Sequence, residues 1–573
     1  MMRIARTSKV WRVALVLVMI LGLFTMAAGS VASPGWPARP MRFRVRLTAQ
    51  AALGIAELGL DVPVTGRVFV IITQDDGSEP REQIDVTGVP FWGKDVHNLW
   101  PGRSVLLRDK DGSVIGYPLE HLADIPPGMY YVQAFLNVYT TFHRSDGHVV
   151  EMHLNSGAGQ WLWEAPGNAY SEVQHVYLDP AKGGVVSLPL TQVIQPDKPL
   201  EPGEVLQQGN YEDTDWVKYV KIQSAHVSEF WGRPMYIGAN ILLPKGYDEN
   251  PDLEYPVIYL QGHFPGGRAP FRFREGTEFY DFWTSDEAPR LIVVTFRDAN
   301  PFYDTSYSVN SANVGPYGDA IMTELIPYIE ENYRIVREPW ARLLAGGSTG
   351  GWEALAMKIW SPDFFSGTWG WCPDSVDFHY HQLVDIYEGE NAYFTEYDWV
   401  MVERPSARAT DGNLYFTIKQ ENDWERAMGP DDRSGGQWDI WEAVYSPVGD
   451  DGYPQPVWDP VTGVINHQVA EYWRDNYDIN YKLQQEWPEI GPKLVGQLTV
   501  TNGDMDTYYL NESSYLLRDF LESTTDPYAD ATFDFGYKQP HCWIGESPNN
   551  PGQEMTYVEF VQIAGEYLAA HAP

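Results

Sequence analysis

Between Leu343 and Ala356 a short apolar strand runs into Gly346-Gly347-Ser348-Thr349-Gly350-Gly351 and out into an Ala/Leu-rich helix. Few backbones accommodate that order. Only small residues fit two places before and after Ser348 if the chain turns sharply from strand to helix, and such a turn lifts the serine hydroxyl above the carboxyl edge of a sheet. The surroundings agree. Beyond Trp216, apolar strand candidates at Met235–Leu243, Val257–Leu260, Leu291–Phe296, Arg342–Ala345, Gly367–Trp371, Leu498–Thr501 and Ala531–Tyr537 alternate with helices or long connections. That grammar predicts a mostly parallel sheet covered on both faces. Ile321, Leu325 and Ile329 mark one helical face that Pro327 should kink, and Ser513–Glu522 and Met555–Ala570 read as later helices.

Residues 42–193 read differently. Gly66–Ile72, Ser104–Leu107 and Met129–Tyr139 are strand-like runs punctuated by Asp75-Asp76-Gly77, Asp109-Lys110-Asp111-Gly112 and Pro126-Pro127-Gly128. Helical periodicity is confined to Leu47–Leu58. An all-β, sandwich-like domain over 33–193 is expected, followed by a proline-rich linker at 194–215 and an α/β domain at 216–573 that carries a long insert, 372–497. The Asp-rich turns are read as hairpin chemistry before calcium sites.

The address is at the front. Arg3, Arg6, Lys9 and Arg12 precede the apolar run Val13–Phe24, and small residues lead to Ala32, the pattern of a signal peptide over 1–32. The apolar run is shorter than the ~20 residues of a membrane span, so a retained anchor is the lesser reading. A secreted or periplasmic protein without stable membrane insertion is expected. The chain carries 40 Lys+Arg against 78 Asp+Glu, a formal charge of −38. A surface that acidic repels phosphate backbones and excludes nucleic acid as a partner. With two cysteines, neither a disulfide-dense scaffold nor a cysteine-built structural zinc site is available. No metal or other cofactor is expected.

A serine hydroxyl becomes a useful nucleophile when an imidazole takes its proton. After the strand Leu498–Thr501 come Asp504 and Asp506, carboxylates in a position to orient such an imidazole, and after the last strand comes His541. Order and loop position together pick out Ser348 and His541; between the two aspartates they leave the choice open, Asp504 being equally a turn former beside Gly503. Two backbone N–H groups should meet the developing oxyanion. One is that of Thr349; the other comes from the loop after Val257–Leu260, where Gly262 permits close approach and His263 or Phe264 supplies the donor. In the insert, Trp424, Trp438, Trp441, Tyr445 and Trp458 read first as a satellite core and second as a platform for a sugar or aromatic substrate; Phe378-His379-Tyr380-His381 lacks the further ligands a metal needs. Cys372 and Cys542 fall at two rims of the same site, where an exported protein could pair them in a disulfide.

The segment Asn310–Arg334 followed by Gly346–Gly351 resembles the putative-esterase family, which includes S-formylglutathione hydrolases, feruloyl and acetylxylan esterases, enterochelin esterases and mycolyltransferases. The resemblance extends from about Trp216 to the C-terminus. It implies an α/β-hydrolase fold, a Ser-Asp-His triad, and Asp506 as the acid, because Gly503-Asp504-Met505-Asp506-Thr507-Tyr508 resembles the family's acid loop. The length of the 372–497 insert departs from the compact family. Hydrolysis of a small-molecule or glycan-linked carboxylic ester is the function implied, ahead of acyl transfer to a sugar hydroxyl and of a non-catalytic surface-binding role.

Overall fold

The computed structural model describes residues 40–573 apart from 157–160, 264–265 and 303–304. The leader read at 1–32 and Phe264 lie outside the described residues. Eight strands form the sheet of the C-terminal region: β1 (Val217–Ser224), β2 (Met235–Leu242), β3 (Val257–Gln261), β4 (Ile292–Arg297), β5 (Arg342–Gly347), β6 (Thr368–Trp371), β7 (Leu498–Gly503) and β8 (Thr532–Gly536). Their spatial order is 1-2-4-3-5-6-7-8. Only β2 runs against its neighbours β1 and β4; the pairs from β4 through β8 are parallel. This is the α/β-hydrolase arrangement.

The inner parallel strands are apolar runs because both their faces are covered. Val257, Tyr259, Ile292, Val294 and Leu344 enter one core, and Ile258, Val293, Leu343 and Ala345 enter another on the opposite face. The helix Thr349–Trp360 supplies Trp352 and Leu355 to the first, and the terminal helix Tyr557–His571 supplies Phe560, Val561 and Ala564 to the second. Pro327 does distort its helix: a wide π-type turn over Ile321–Leu325 precedes it, the local adjustment a helix makes where an i→i−4 bond is lost. Beneath the sheet the Glu330 carboxylate accepts two hydrogen bonds from Arg342, at 2.7 and 2.8 Å, and one from the Tyr259 hydroxyl at 3.0 Å. Glu330→Ala leaves that guanidinium buried and unpaired, at a cost of about 3–5 kcal/mol, so a clear fall in the thermal unfolding midpoint is expected by calorimetry.

The N-terminal region is a ten-stranded sheet, antiparallel except where Met41–Leu47 lies parallel to Gly184–Val193. The sheet curls on itself. Phe43 near one edge and Trp92 near the other stack with ring centroids 6.4 Å apart, and both belong to one core with Val45, Val68 and Val70. The 16-residue strand Gly128–His143 is longer than the period-2 pattern indicates, because different stretches of it pair with three short strands in turn. The outer face, Phe69, Ile71 and Phe135, is covered by Ala427 and Met428 of the insert. Arg67 donates to the Ala427 carbonyl at 2.9 and 3.2 Å, and Asp95 is shared by Arg67 and Arg433.

The insert thus lies against both sheets, and residues 40–573 pack as one unit. Its core is aromatic: Trp438, Trp441, Trp458 and Trp473 surround the His381 ring, whose burial pushes its pKa down to about 3 and keeps it neutral. No described helix is long and apolar enough to cross a membrane.

Candidate active site

Ser348 caps the helix that follows β5 with φ 59° and ψ −126°, a conformation that costs a non-glycine residue energy and marks a constrained turn. The glycines around it are there for space. A Cβ on Gly346 would overlap the Gly350 carbonyl; one on Gly350 would overlap the Gln261 carbonyl and lie 2.8 Å from the Gly262 nitrogen. The loop after β3 is therefore pressed against the turn that carries Ser348. Gly350→Ala must push that loop away, at about 1–3 kcal/mol. A lower unfolding midpoint and a lower kcat are expected together.

Two other loops reach Ser348. His541, in the loop after β8, has Nε2 2.9 Å from Ser348 Oγ and Nδ1 2.7 Å from Asp506 Oδ2. Asp506, in the loop after β7, is fully buried, and its Oδ1 accepts the Tyr508 and Leu510 amides at 2.9 and 3.2 Å. Those two amides fix the carboxylate so that its second oxygen faces the imidazole. The histidine loop passes close because Gly503, at the end of β7, has no side chain: a Cβ there would overlap the Gln539 and Pro540 carbonyls. Asp504 points elsewhere, accepting the Lys538 amide at 2.5 Å, and so ties the two loops together. Burial pushes the His541 pKa down, but the Asp506 charge, and after it Cys542, outweigh this and hold it well above the ordinary histidine value.

Thr349 is the first residue of the helix, where the amide has no intrahelical acceptor. Gly262 and His263 line a cavity of about 640 Å³ together with Gly347, Trp371 and Cys542. Phe271, Phe279 and Tyr557 add aromatic surface, and Arg268 and Arg272 add cationic groups. Ser348, Asp506, His541, Thr349, Gly262 and His263 are therefore brought to one rim of the sheet.

Cys372 and Cys542 also meet here, but as free thiols, so the pairing considered for them is not present. Both have positive φ, 37° and 68°. One ligand atom each from Cys372, Cys542 and His541 lie within 4.8 Å of one another. That set does not suit a metal, since both imidazole nitrogens are already engaged by Asp506 and Ser348.

One residue in the site carries no sequence signal. Asp374, buried just beyond β6, has Oδ1 3.4 Å from Ser348 Oγ, while its Oδ2 accepts from Tyr307 OH at 2.7 Å, Thr349 Oγ1 at 3.0 Å and Trp441 Nε1 at 3.2 Å. Gln437 donates to the same Tyr307 hydroxyl at 2.8 Å. The insert helix Gln437–Tyr445 thus reaches the serine through one carboxylate. An Asp after a strand is too common a pattern to reveal this.

Residues 229–424 match the family model described as "Putative esterase". Among curated proteins, an endo-1,4-beta-xylanase/feruloyl esterase of Xylanibacter ruminicola is 28% identical over 138 residues, 23% of this chain; the chain spans only 19% of that relative's length. Among solved structures, a ferulic acid esterase is 15% identical over 62% of this chain and 98% of its own, with a TM-score of 0.36. An S-formylglutathione hydrolase from Agrobacterium tumefaciens is 12% identical over 63% and 96%, with a TM-score of 0.31. Over residues 229–424, about a third of its length, this chain is similar to the putative-esterase family.

Proposed function

We propose that the chain is an exported serine hydrolase of carboxylic esters. The observation that carries the reading is His541, hydrogen-bonded through one nitrogen to Ser348 and through the other to Asp506. In this reading, residues 216–573 carry the chemistry, and residues 33–193 form a β domain attached through 194–215. The signal-like start at 1–32 supports export.

His541 Nε2 takes the Ser348 proton as Oγ attacks the ester carbonyl. Asp506 holds the imidazole with Nδ1–H toward itself and stabilises the imidazolium. The Thr349 amide, with an amide of the loop at Gly262–His263, receives the oxyanion; each such donor is worth about 3 kcal/mol. His541 then protonates the departing alkoxide, leaving an acyl-enzyme. Water, deprotonated by the same nitrogen, attacks the acyl carbonyl, and the carboxylic acid leaves as Ser348 recovers its proton. The strained serine needs no rearrangement on attack, because its hydroxyl already lies within hydrogen-bond distance of the base.

Purified protein is to be offered 4-nitrophenyl acetate and acetylated and feruloylated sugars. Turnover of at least one, with free acid as product, is expected. Absence of turnover above buffer on every ester contradicts the reading. Transfer of the acyl group to added glycan instead of water would reassign the activity as acyl transfer.

A further inference from the structure

A second cavity, of about 420 Å³, lies on the other side of the loop that forms the mouth of the first. Gly266, Gly267 and Arg268 line it from the catalytic side, and Arg268 lines both cavities. The remaining wall comes from the N-terminal region, through Ser156, Trp161 and Glu164, and from the connector, through Asp197 and Asn210. Nothing in the ester chemistry uses it.

The shared partition is built to hold its place. Asn240, fully buried on β2, donates to the Gly266 and Arg268 carbonyls at 2.9 and 2.8 Å, and Tyr219 on β1 donates to the Gly267 carbonyl at 3.0 Å. Tyr211 packs where a side chain on Gly267 would stand. A ligand in the second cavity therefore meets a fixed wall a few residues from the predicted oxyanion donors.

The lining is polar and partly unsatisfied. Asn210 is 9% exposed; its Oδ1 accepts from Lys221 at 2.7 Å, while its Nδ2 has no partner among the described residues. Ser156 is 3% exposed and its Oγ likewise has none. Buried polar groups left unpaired are costly, and two at one polar cavity point to a ligand or solvent that completes them. Over the same cavity Trp161 is 55% exposed, an indole face available for stacking. Glu164 and Asp197 add hydroxyl acceptors and repel anions. An aromatic face, amide and hydroxyl donors, and carboxylate acceptors together suit a neutral polyhydroxylated ring.

We propose that this cavity binds the neutral sugar chain whose ester is cleaved at Ser348, so that the N-terminal region forms the alcohol-side subsite. The proposal rests on the esterase reading for its place in catalysis, but binding can be measured without turnover. Full-length Ser348→Ala protein is titrated calorimetrically with ester-free xylohexaose, cellohexaose and mannohexaose. Saturable binding of at least one is expected, weakened about tenfold by adding Trp161→Ala, the loss of one ring stack, and largely kept by Trp161→Phe. No binding of any of the three, or equal affinity with and without Trp161, overturns the proposal. In the otherwise native protein, Trp161→Ala should raise KM about tenfold for an acetylated oligosaccharide and leave 4-nitrophenyl acetate hydrolysis unchanged; equal loss on both esters also overturns it. Wild-type protein that hydrolyses no ester would sink the esterase reading alone, since the titration still decides the subsite.

Discussion

Replacing His541 by alanine is expected to lower kcat on 4-nitrophenyl acetate by about 10⁵–10⁶-fold, nearly as much as removing Ser348 itself, because nucleophile and base act as one unit. The ring is half-buried and its contacts are those of the site: Ser348, Asp506, and the edge of Tyr508 with ring centroids 5.1 Å apart. No large apolar core surrounds it, so the unfolding midpoint should move by no more than a few degrees. Stopped-flow or steady-state kinetics beside a thermal melt separates the two effects. A variant that stays folded and keeps more than a few per cent of activity would place the base elsewhere.

Asp506→Asn carries the second large effect. The Tyr508 and Leu510 amides can still hold the carboxamide oxygen, so the amide NH₂ is left facing His541 Nδ1. That reverses the imidazole tautomer and leaves Nε2 protonated toward Ser348, where it cannot accept a proton. A loss of about 10⁴ in kcat is expected. The pH profile adds a sign. His541 must be neutral to act, and burial, which lowers its pKa, is overridden by the Asp506 charge. The acid limb of kcat/KM should therefore lie above the ordinary histidine value near pH 6.5 in the wild type. Removing the carboxylate leaves burial the stronger influence, and the limb should move to lower pH in the residual activity.

Sequence alone located what is set by local chemistry. Ser348 stands out because its turn demands glycines on both sides, and His541 because it follows the last strand in a fixed order; that order left Asp504 and Asp506 open, and only the likeness of the acid loop favoured Asp506. The strands β2 to β7 are visible as apolar runs because both faces are buried. Strand β1 escaped that reading: Val217–Ser224 mixes three apolar residues with Lys218, Lys221, Gln223 and Ser224, as an edge strand half open to solvent does. Asp374 escaped because its role exists only after Tyr307, Thr349 and Trp441 converge on it from three parts of the chain. The seat of the insert was equally hidden. Its tryptophans read as an aromatic core, but nothing in their spacing says that Ala427 and Met428 cover the N-terminal sheet while Trp441 reaches toward Ser348.

The most direct measurement is covalent. A fluorophosphonate reacts only with a serine whose proton is being removed and whose new oxyanion is being received, so its site and stoichiometry report nucleophile, base and donors at once. Intact-mass and peptide analysis of the labelled full-length protein should give one adduct per chain, on the peptide containing Ser348, and none in Ser348→Ala. An adduct that persists in Ser348→Ala, or wild-type protein that takes no label, would contradict the account.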